Sequence, residues 1–281
     1  MTTSLRVPLL LVFLTTHSVA LHADDAKADD AQASKNAKAK VLLIGHKPDH
    51  PFGSHMYLHT CEMLAKCLRL TDGVEATVSD RWPEDPKVLK DVKTIVFYTR
   101  PAAEMLLDGP HRQEVDRLMK QGVGLVTIHW ASSVQKKNLD RLGDRWISYL
   151  GGTWVSNVGL STDTSELKQL DPKHPICRGW SNYKLRDEYY LNPTISKKAK
   201  SLLQVTTKGQ DVVVGWAVER SDGGRAYGTT LGHFYDNFQQ EPFRRTIVNA
   251  ILWTAHVDVP KQGAPINLSE QDLALPPRPA K

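Results

Sequence analysis

Over the first half of the chain, apolar residues fall into short blocks separated by stretches with helical periodicity. Residues 41–44 (VLLI) form a continuous apolar run, 74–78 and 94–98 are short and strand-like, and 124–128 is apolar again. Apolar runs of about four to eight residues read as buried strands. Between them, residues 56–70 carry Met56, Leu64, Cys67 and Leu68 at helical spacings, and residues 111–120 are amphipathic. Strands alternating with helices predict an α/β fold: a doubly wound, mostly parallel sheet flanked by helices in a single domain. Ligands of such sheets bind beyond the carboxyl ends of the strands. That rule singles out residues 46–55, Tyr98-Thr99-Arg100 and His129-Trp130.

The second half is less regular. Gly151-Gly152-Thr153-Trp154 and His174-Pro175 read as loops, while residues 202–206, 212–218 and 225–231 read as strands. Glu241-Pro242 then starts a helix with Phe243, Ile247 and Ile251 on one face. Gly223-Gly224 reads as a hairpin turn, since no P-loop lysine or helix start follows. The strand over 225–231 ends in Gly232-His233, a further polar group at a strand end.

The ends of the chain change the picture of where it works. Residues 1–23 combine Arg6, an apolar run over 7–14 and small residues at Ser18, Ala20 and Ala23, the pattern of a secretory signal peptide. Residues 24–38, mostly Ala, Asp and Lys, read as a disordered spacer, and residues 261–281 as a proline-rich tail that wraps the surface or frays. The domain is thus expected over 39–260, exported to a secreted or periplasmic location and without a membrane span. Export favours disulfides, yet there are only three cysteines. Cys61 and Cys67 lie on different faces of one predicted helix, so all three read as buried small residues, with a bridge to Cys177 left open.

The net charge of +5 comes from lysines and arginines scattered among 31 acids, without a basic stripe, which argues against nucleic acid as a partner. The candidate chemistry is histidine-based. His129 follows a buried strand where doubly wound hydrolases place a nucleophile, but no G-x-S-x-G or cysteine is present, so the residue reads equally as a core histidine. If Ser54 caps the next helix, His55 and His59 fall at i, i+4, a spacing suited to two metal ligands or to plain helix-start histidines. In Asp187-Glu188-Tyr189-Tyr190 only one carboxylate can face a given pocket, and Glu188 is the choice as acid, base or ligand, against a solvated acidic loop.

Taken together, GHKPDHPFGSHMYLHTCEMLAKCL, QGVGLVTIHWA, GGTW, KHPICRGW, RDEYYL, GGRAYGTTLGHFYDNF and RRTIVNAILWTAHVDVP resemble, in order over about residues 40–260, the trehalose-utilisation (ThuA-like) family. The resemblance implies a class I glutamine amidotransferase-like or flavodoxin-like fold without its catalytic cysteine, and so no glutamine amidotransfer. It selects His129, Glu188 and His233 as catalytic residues and His50 and His55 as ligands of a divalent metal such as zinc. His46 and His59 fall outside the pattern, and Ser54 stands where related secreted sequences often carry an acid. It further implies cleavage or rearrangement of a 3-keto-disaccharide type of sugar, through proton abstraction next to the ketone, beside a sugar dehydrogenase. Trp130, Trp154, Tyr189 and Phe234 would stack on the carbohydrate, or serve only as core aromatics. The rival readings are a non-catalytic carbohydrate-binding or accessory module, and an interaction domain that has kept the fold alone.

Overall fold

The computed structural model describes residues 38–278, so the expected signal peptide and most of the spacer lie outside the described residues. In chain order the elements are β1 (Ala39–Gly45), α1 (Tyr57–Leu68), β2 (Val74–Ser79), β3 (Val92–Tyr98), α2 (Ala102–Leu107), α3 (Arg112–Lys120), β4 (Gly124–Ile128), β5 (Ser133–Gln135), α4 (Leu139–Leu150) and β6 (Gly152–Ser156). There follow β7 (Leu160–Gln169), β8 (Tyr183–Tyr190), β9 (Thr194–Ile195), β10 (Lys200–Thr207), β11 (Gln210–Glu219), β12 (Arg225–Thr229), α5 (Tyr235–Gln239), α6 (Glu241–Thr254) and α7 (Glu270–Leu273).

A nine-stranded sheet of order β2-β1-β3-β4-β12-β11-β10-β7-β8 forms the spine. It is parallel from β2 to β12, as the strand and helix alternation requires. From β12 through β11, β10 and β7 to β8 it is antiparallel, so the sheet as a whole is mixed. The parallel strands read as unbroken apolar runs because both faces are covered. One face packs Val41, Leu43, Val96 and Val126 against α1 and α6, and the other packs Leu42, Ile95, Phe97 and Leu125 with residues of α2, α3 and α4. The second half departs from its sequence reading at three places. Gly151 ends α4 in the left-handed conformation (φ 82°), after which Gly152–Ser156 is a strand rather than a loop. Residues 160–169 and 183–190 form a long hairpin whose polar outer positions hide its period of two.

The segment after residue 260 packs against the domain. Ile266 is fully buried, Arg244 Nε donates to its carbonyl, and Lys66 pairs with Asp272 at 2.6 Å. Cys61, Cys67 and Cys177 are all buried and free, so the bridge left open by the sequence does not form. Among the described residues no helix is long and apolar enough to cross a membrane.

Candidate functional site

Strand order decides which loops meet. β4 and β12 are neighbours, so His129, directly after β4, faces His233, four residues after β12. Their rings lie 5.2 Å apart, with His233 Nδ1 3.3 Å from His129 Nε2. The loop after β1 is stitched to the loop after β12 by backbone: His55 N donates to His233 O at 3.0 Å, Tyr235 N to Gly53 O at 2.8 Å, and Ser54 bridges Phe234. This stitching delivers His55 to the same point, its Nε2 3.1 Å from His233 Nδ1. Ser54 therefore does not cap α1. The helix begins at Tyr57 with no side-chain cap, and His55 precedes it in the left-handed region at φ 48°. The expected i, i+4 pair of His55 and His59 does not exist: His59 turns to the tail and bonds Ala274 O at 3.0 Å. His129 is also left-handed, at φ 57°, a strained strand-to-turn elbow that carries an imidazole where a hydrolase would carry its nucleophile.

Glu188 and Tyr190 alternate onto one face of β8 and complete the cluster. Glu188 Oε2 lies 3.4 Å from His233 Nδ1 and 3.6 Å from His129 Nε2, and Tyr190 Oη is 2.9 Å from His129 Nε2. Asp187 meets the backbone of the same loop. Fully buried, it accepts the N–H groups of Gly232 (2.6 Å), His233 (2.9 Å) and Glu188 (2.9 Å). Burial raises its carboxyl to about 6, despite those three donors.

Proton positions follow from the partners. His129 Nδ1 is 2.7 Å from Thr230 O, which can only accept, so Nδ1 carries the hydrogen and Nε2 the lone pair. His55 Nδ1 likewise donates to Asp49 Oδ1 at 3.0 Å, with Tyr57 Oη 2.6 Å from the same nitrogen, so its lone pair is on Nε2. Burial, reinforced by the neighbouring imidazoles, lowers His55 to about 4 and His129 well below its ordinary value, keeping both neutral. In Glu188 burial pushes upward, but the bond from His233 and the nearby histidines outweigh it and hold the carboxyl below its usual range. Asp49 is also desolvated, yet Arg100 (Nε to Oδ2, 2.8 Å), His50 (2.7 Å) and His55 hold it at about 2.

One nitrogen from each of His55, His129 and His233 lies within 4.8 Å of the others. Neutral imidazoles with their outer nitrogens tied to a carbonyl and a carboxylate are the donor chemistry of a divalent metal site. A tetrahedral zinc with bonds of about 2.0–2.1 Å needs donors roughly 3.3 Å apart. His233 Nδ1 lies 3.1 Å from His55 Nε2 and 3.3 Å from His129 Nε2, so the three imidazoles fit such an ion, and Glu188 Oε2 stands 3.4 Å from His233 Nδ1 and 3.6 Å from His129 Nε2. Asp49, His50 and His55 form a second, more open grouping.

Of the residues expected from sequence, His50, His55, His129, Glu188 and His233 therefore converge. Trp130 also faces the cluster, its ring 6.0 Å from those of His50 and His55, and Phe234 packs against His233 under the Arg186 guanidinium. Trp154 and Tyr189 do not offer the stacking surfaces expected of them. Trp154 is 2 % exposed and stacks behind Tyr190 at 3.8 Å, while fully buried Tyr189 donates its hydroxyl to Leu185 O. Sequence reading missed Asp49, Tyr57, Asp187, Tyr190 and the Thr230 carbonyl. Tyr190 carried a signal, since it lies two residues from Glu188 on the same strand face.

The comparisons with known proteins bear on this arrangement. A model of the ThuA family, described as trehalose utilisation, matches residues 40–254. The chain belongs to the ThuA family. That description associates it with carbohydrate utilisation. Among solved structures, a ThuA-like protein from Bacteroides uniformis is similar with a TM-score of 0.59 at 18% identity, over 82% of this chain and 96% of that one. A glutamine amidotransferase from Thermotoga maritima gives a TM-score of 0.45 at 13% identity, over 77% of this chain and 90% of the other. A second glutamine amidotransferase, from Methylobacillus flagellatus, gives 0.38 at 12%, over 70% of each chain. A search of curated proteins finds no match. Within the ThuA fold this chain places a histidine, not a thiol, at the elbow of β4.

Proposed function

We propose that the chain is an exported enzyme of carbohydrate breakdown that cleaves or rearranges a keto-glycoside of the 3-keto-disaccharide type by metal-assisted acid–base chemistry. The observation that carries the reading is the convergence of three imidazole nitrogens, with His233 Nδ1 3.1 and 3.3 Å from the other two, beside the Glu188 carboxylate. The trehalose-utilisation description of the family supports a sugar substrate, and the apolar run over 7–14 behind Arg6 supports export. A non-catalytic module would be served by dispersed histidines satisfied by backbone, which this grouping disfavours.

His55, His129 and His233 would hold a divalent ion such as zinc, with the Glu188 carboxylate beside two of them. When bound, such an ion polarises a carbonyl or hydroxyl oxygen and stabilises negative charge developing there. The roles divided by sequence are thereby exchanged: buried His129 and His233 serve as ligands, and His50 moves to proton transfer. His50 donates Nδ1–H to Asp49 at 2.7 Å, which leaves its lone pair on Nε2, the state of a general base. Its side chain is 35% exposed at the mouth of the cluster, whereas that of His129 is fully buried. A ketone at C3 acidifies the hydrogen on the adjacent carbon, which His50 Nε2 can accept while Arg100 and Asp49 fix the ring. A dehydrogenase acting on C3 of the sugar would have to supply such a substrate.

Metal content of the purified protein, and turnover of 3-keto and unmodified disaccharides by the wild type and His129→Ala, test the reading together. Stoichiometric zinc and keto-selective turnover, both lost in His129→Ala, are expected. A metal-free protein inactive on both sugar classes, or a variant as active as wild type, overturns it.

A further inference from the structure

Trp130 faces two ways. Its ring lies 6.0 Å from those of His50 and His55, and the same side chain walls a separate cleft of about 550 Å³ lined also by Gln135, Lys136, Lys137, Ser156 and Asn157. The wall is fixed in place. Trp130 Nε1 donates to Ser156 Oγ at 3.0 Å, Ser156 Oγ lies 2.9 Å from Ser133 Oγ, and Ser133 Oγ donates to Trp130 O at 2.7 Å. The floor is fixed as well: Glu104 Oε1 accepts from Gln135 N at 2.8 Å and from Asn138 Nδ2 at 3.0 Å, holding the stretch that carries both lysines.

With its indole N–H already used, Trp130 presents only apolar ring surface, which suits the C–H face of a sugar. Gln135 and Asn157 supply amide donors and acceptors, and Lys136 and Lys137, consecutive in the chain, supply positive charge with no acidic side chain in the lining. Two positive charges with no acid in the lining attract an anion into the cleft. We infer that this cleft is the subsite for the second, non-reacting sugar unit of the substrate, and that it selects a unit bearing a carboxylate, as a uronic acid does. The inference rests on reading the histidine cluster as a carbohydrate site, since it places the bond to be worked on between that cluster and Trp130.

The probes are sodium glucuronate and glucose, titrated into isotope-labelled protein and followed by NMR shifts of the Trp130 indole and the backbone of residues 133–137. Wild type, Lys136→Ala/Lys137→Ala and His129→Ala are compared. Glucuronate is expected to give saturating shifts at these positions and glucose to bind about tenfold or more weakly. The double lysine variant, altered only at exposed positions, should lose that preference, and His129→Ala should keep it. Equal affinity for the two sugars, no shifts at 130–137, or indifference to the lysine substitutions overturns the inference. Retained glucuronate binding in a protein that proves metal-free and inactive would sink the proposed chemistry, and with it the role as a substrate subsite, and leave the cleft only as a uronate-binding site.

Discussion

The Tyr190 hydroxyl lies 2.9 Å from Nε2 of His129, and the Tyr190 ring is stacked at 3.8 Å on Trp154. With Nδ1 of His129 donating to Thr230, that nitrogen can only accept, so Tyr190 donates. Tyr190→Phe keeps the stack and removes the donor. Because the single lone pair of Nε2 serves either the Tyr190 hydroxyl or an ion, the variant should bind zinc about three- to tenfold more tightly, for the roughly 0.5–1.5 kcal/mol of the hydrogen bond removed. Chelator competition measures it, and a variant equal to wild type would leave the hydroxyl a mere space-filler.

Asp49 joins His50, His55 and Arg100 through one carboxylate. In Asp49→Asn the amide keeps one accepting oxygen and loses the charge, so His50 and His55 are less firmly oriented. Zinc affinity should drop about 10- to 100-fold, and turnover with it. Unchanged affinity and turnover would show that Asp49 orients neither ring.

Asp187 is a buried anchor for the loop that presents His233. Asp187→Ala leaves the N–H groups of Gly232 and His233 without their acceptor, a cost of roughly 2–6 kcal/mol at about 1–3 kcal/mol for each buried unsatisfied group. Urea unfolding should show that loss, with zinc binding weakened in parallel. Loss of stability with zinc affinity intact would mean that the stitching to residues 53–55 holds His233 unaided.

Stability should depend on pH in a defined window. Burial lowers His55 and His174 to about 4 and drives His129 well down, so each has a folded value under the unfolded one of about 6.5. As pH falls from about 6.5 toward 4 the unfolded chain takes up protons that the folded chain refuses, and stability is lost. Asp187, raised to about 6, acts in the opposite sense: its contribution is present below about 4 and lost as pH rises to 6. His46 and His256, also lowered by burial, act with the three, so five histidines oppose one carboxyl. Calorimetry on metal-free protein should therefore record a falling melting temperature from pH 6.5 down to 4, and a flat or rising profile would contradict these environments.

The parallel half of the sheet was legible because strands covered on both faces must be apolar throughout, and VLLI and GLVTI leave little alternative. The hairpin of β7 and β8 was not, because LSTDTSELKQ is mostly exposed and buries chiefly Ser161 and Leu167. At the site, the rule that ligands gather beyond strand ends located His55, His129 and His233 before any contact was known. What it could not supply was orientation. Ser54 looked like a helix cap, but pairing with Phe234 claimed its backbone, and the left-handed turn at His55 has no sequence mark. Asp49 stood in plain view beside His50, yet its worth lies in Arg100, which arrives from another strand end.

The backbone bonds tying the loop after β1 to the loop after β12 have a kinetic consequence. His55 and His233 are 178 positions apart, and closing so long a loop precedes any gain from the contact. The parallel strands can find one another earlier, but the three imidazoles meet only once β12 is seated beside β4 and the returning chain has reached Gly53. A chain stopped before residue 235 would thus be unable to assemble the cluster, and any affinity for an ion measured on the whole protein counts directly toward its resistance to unfolding.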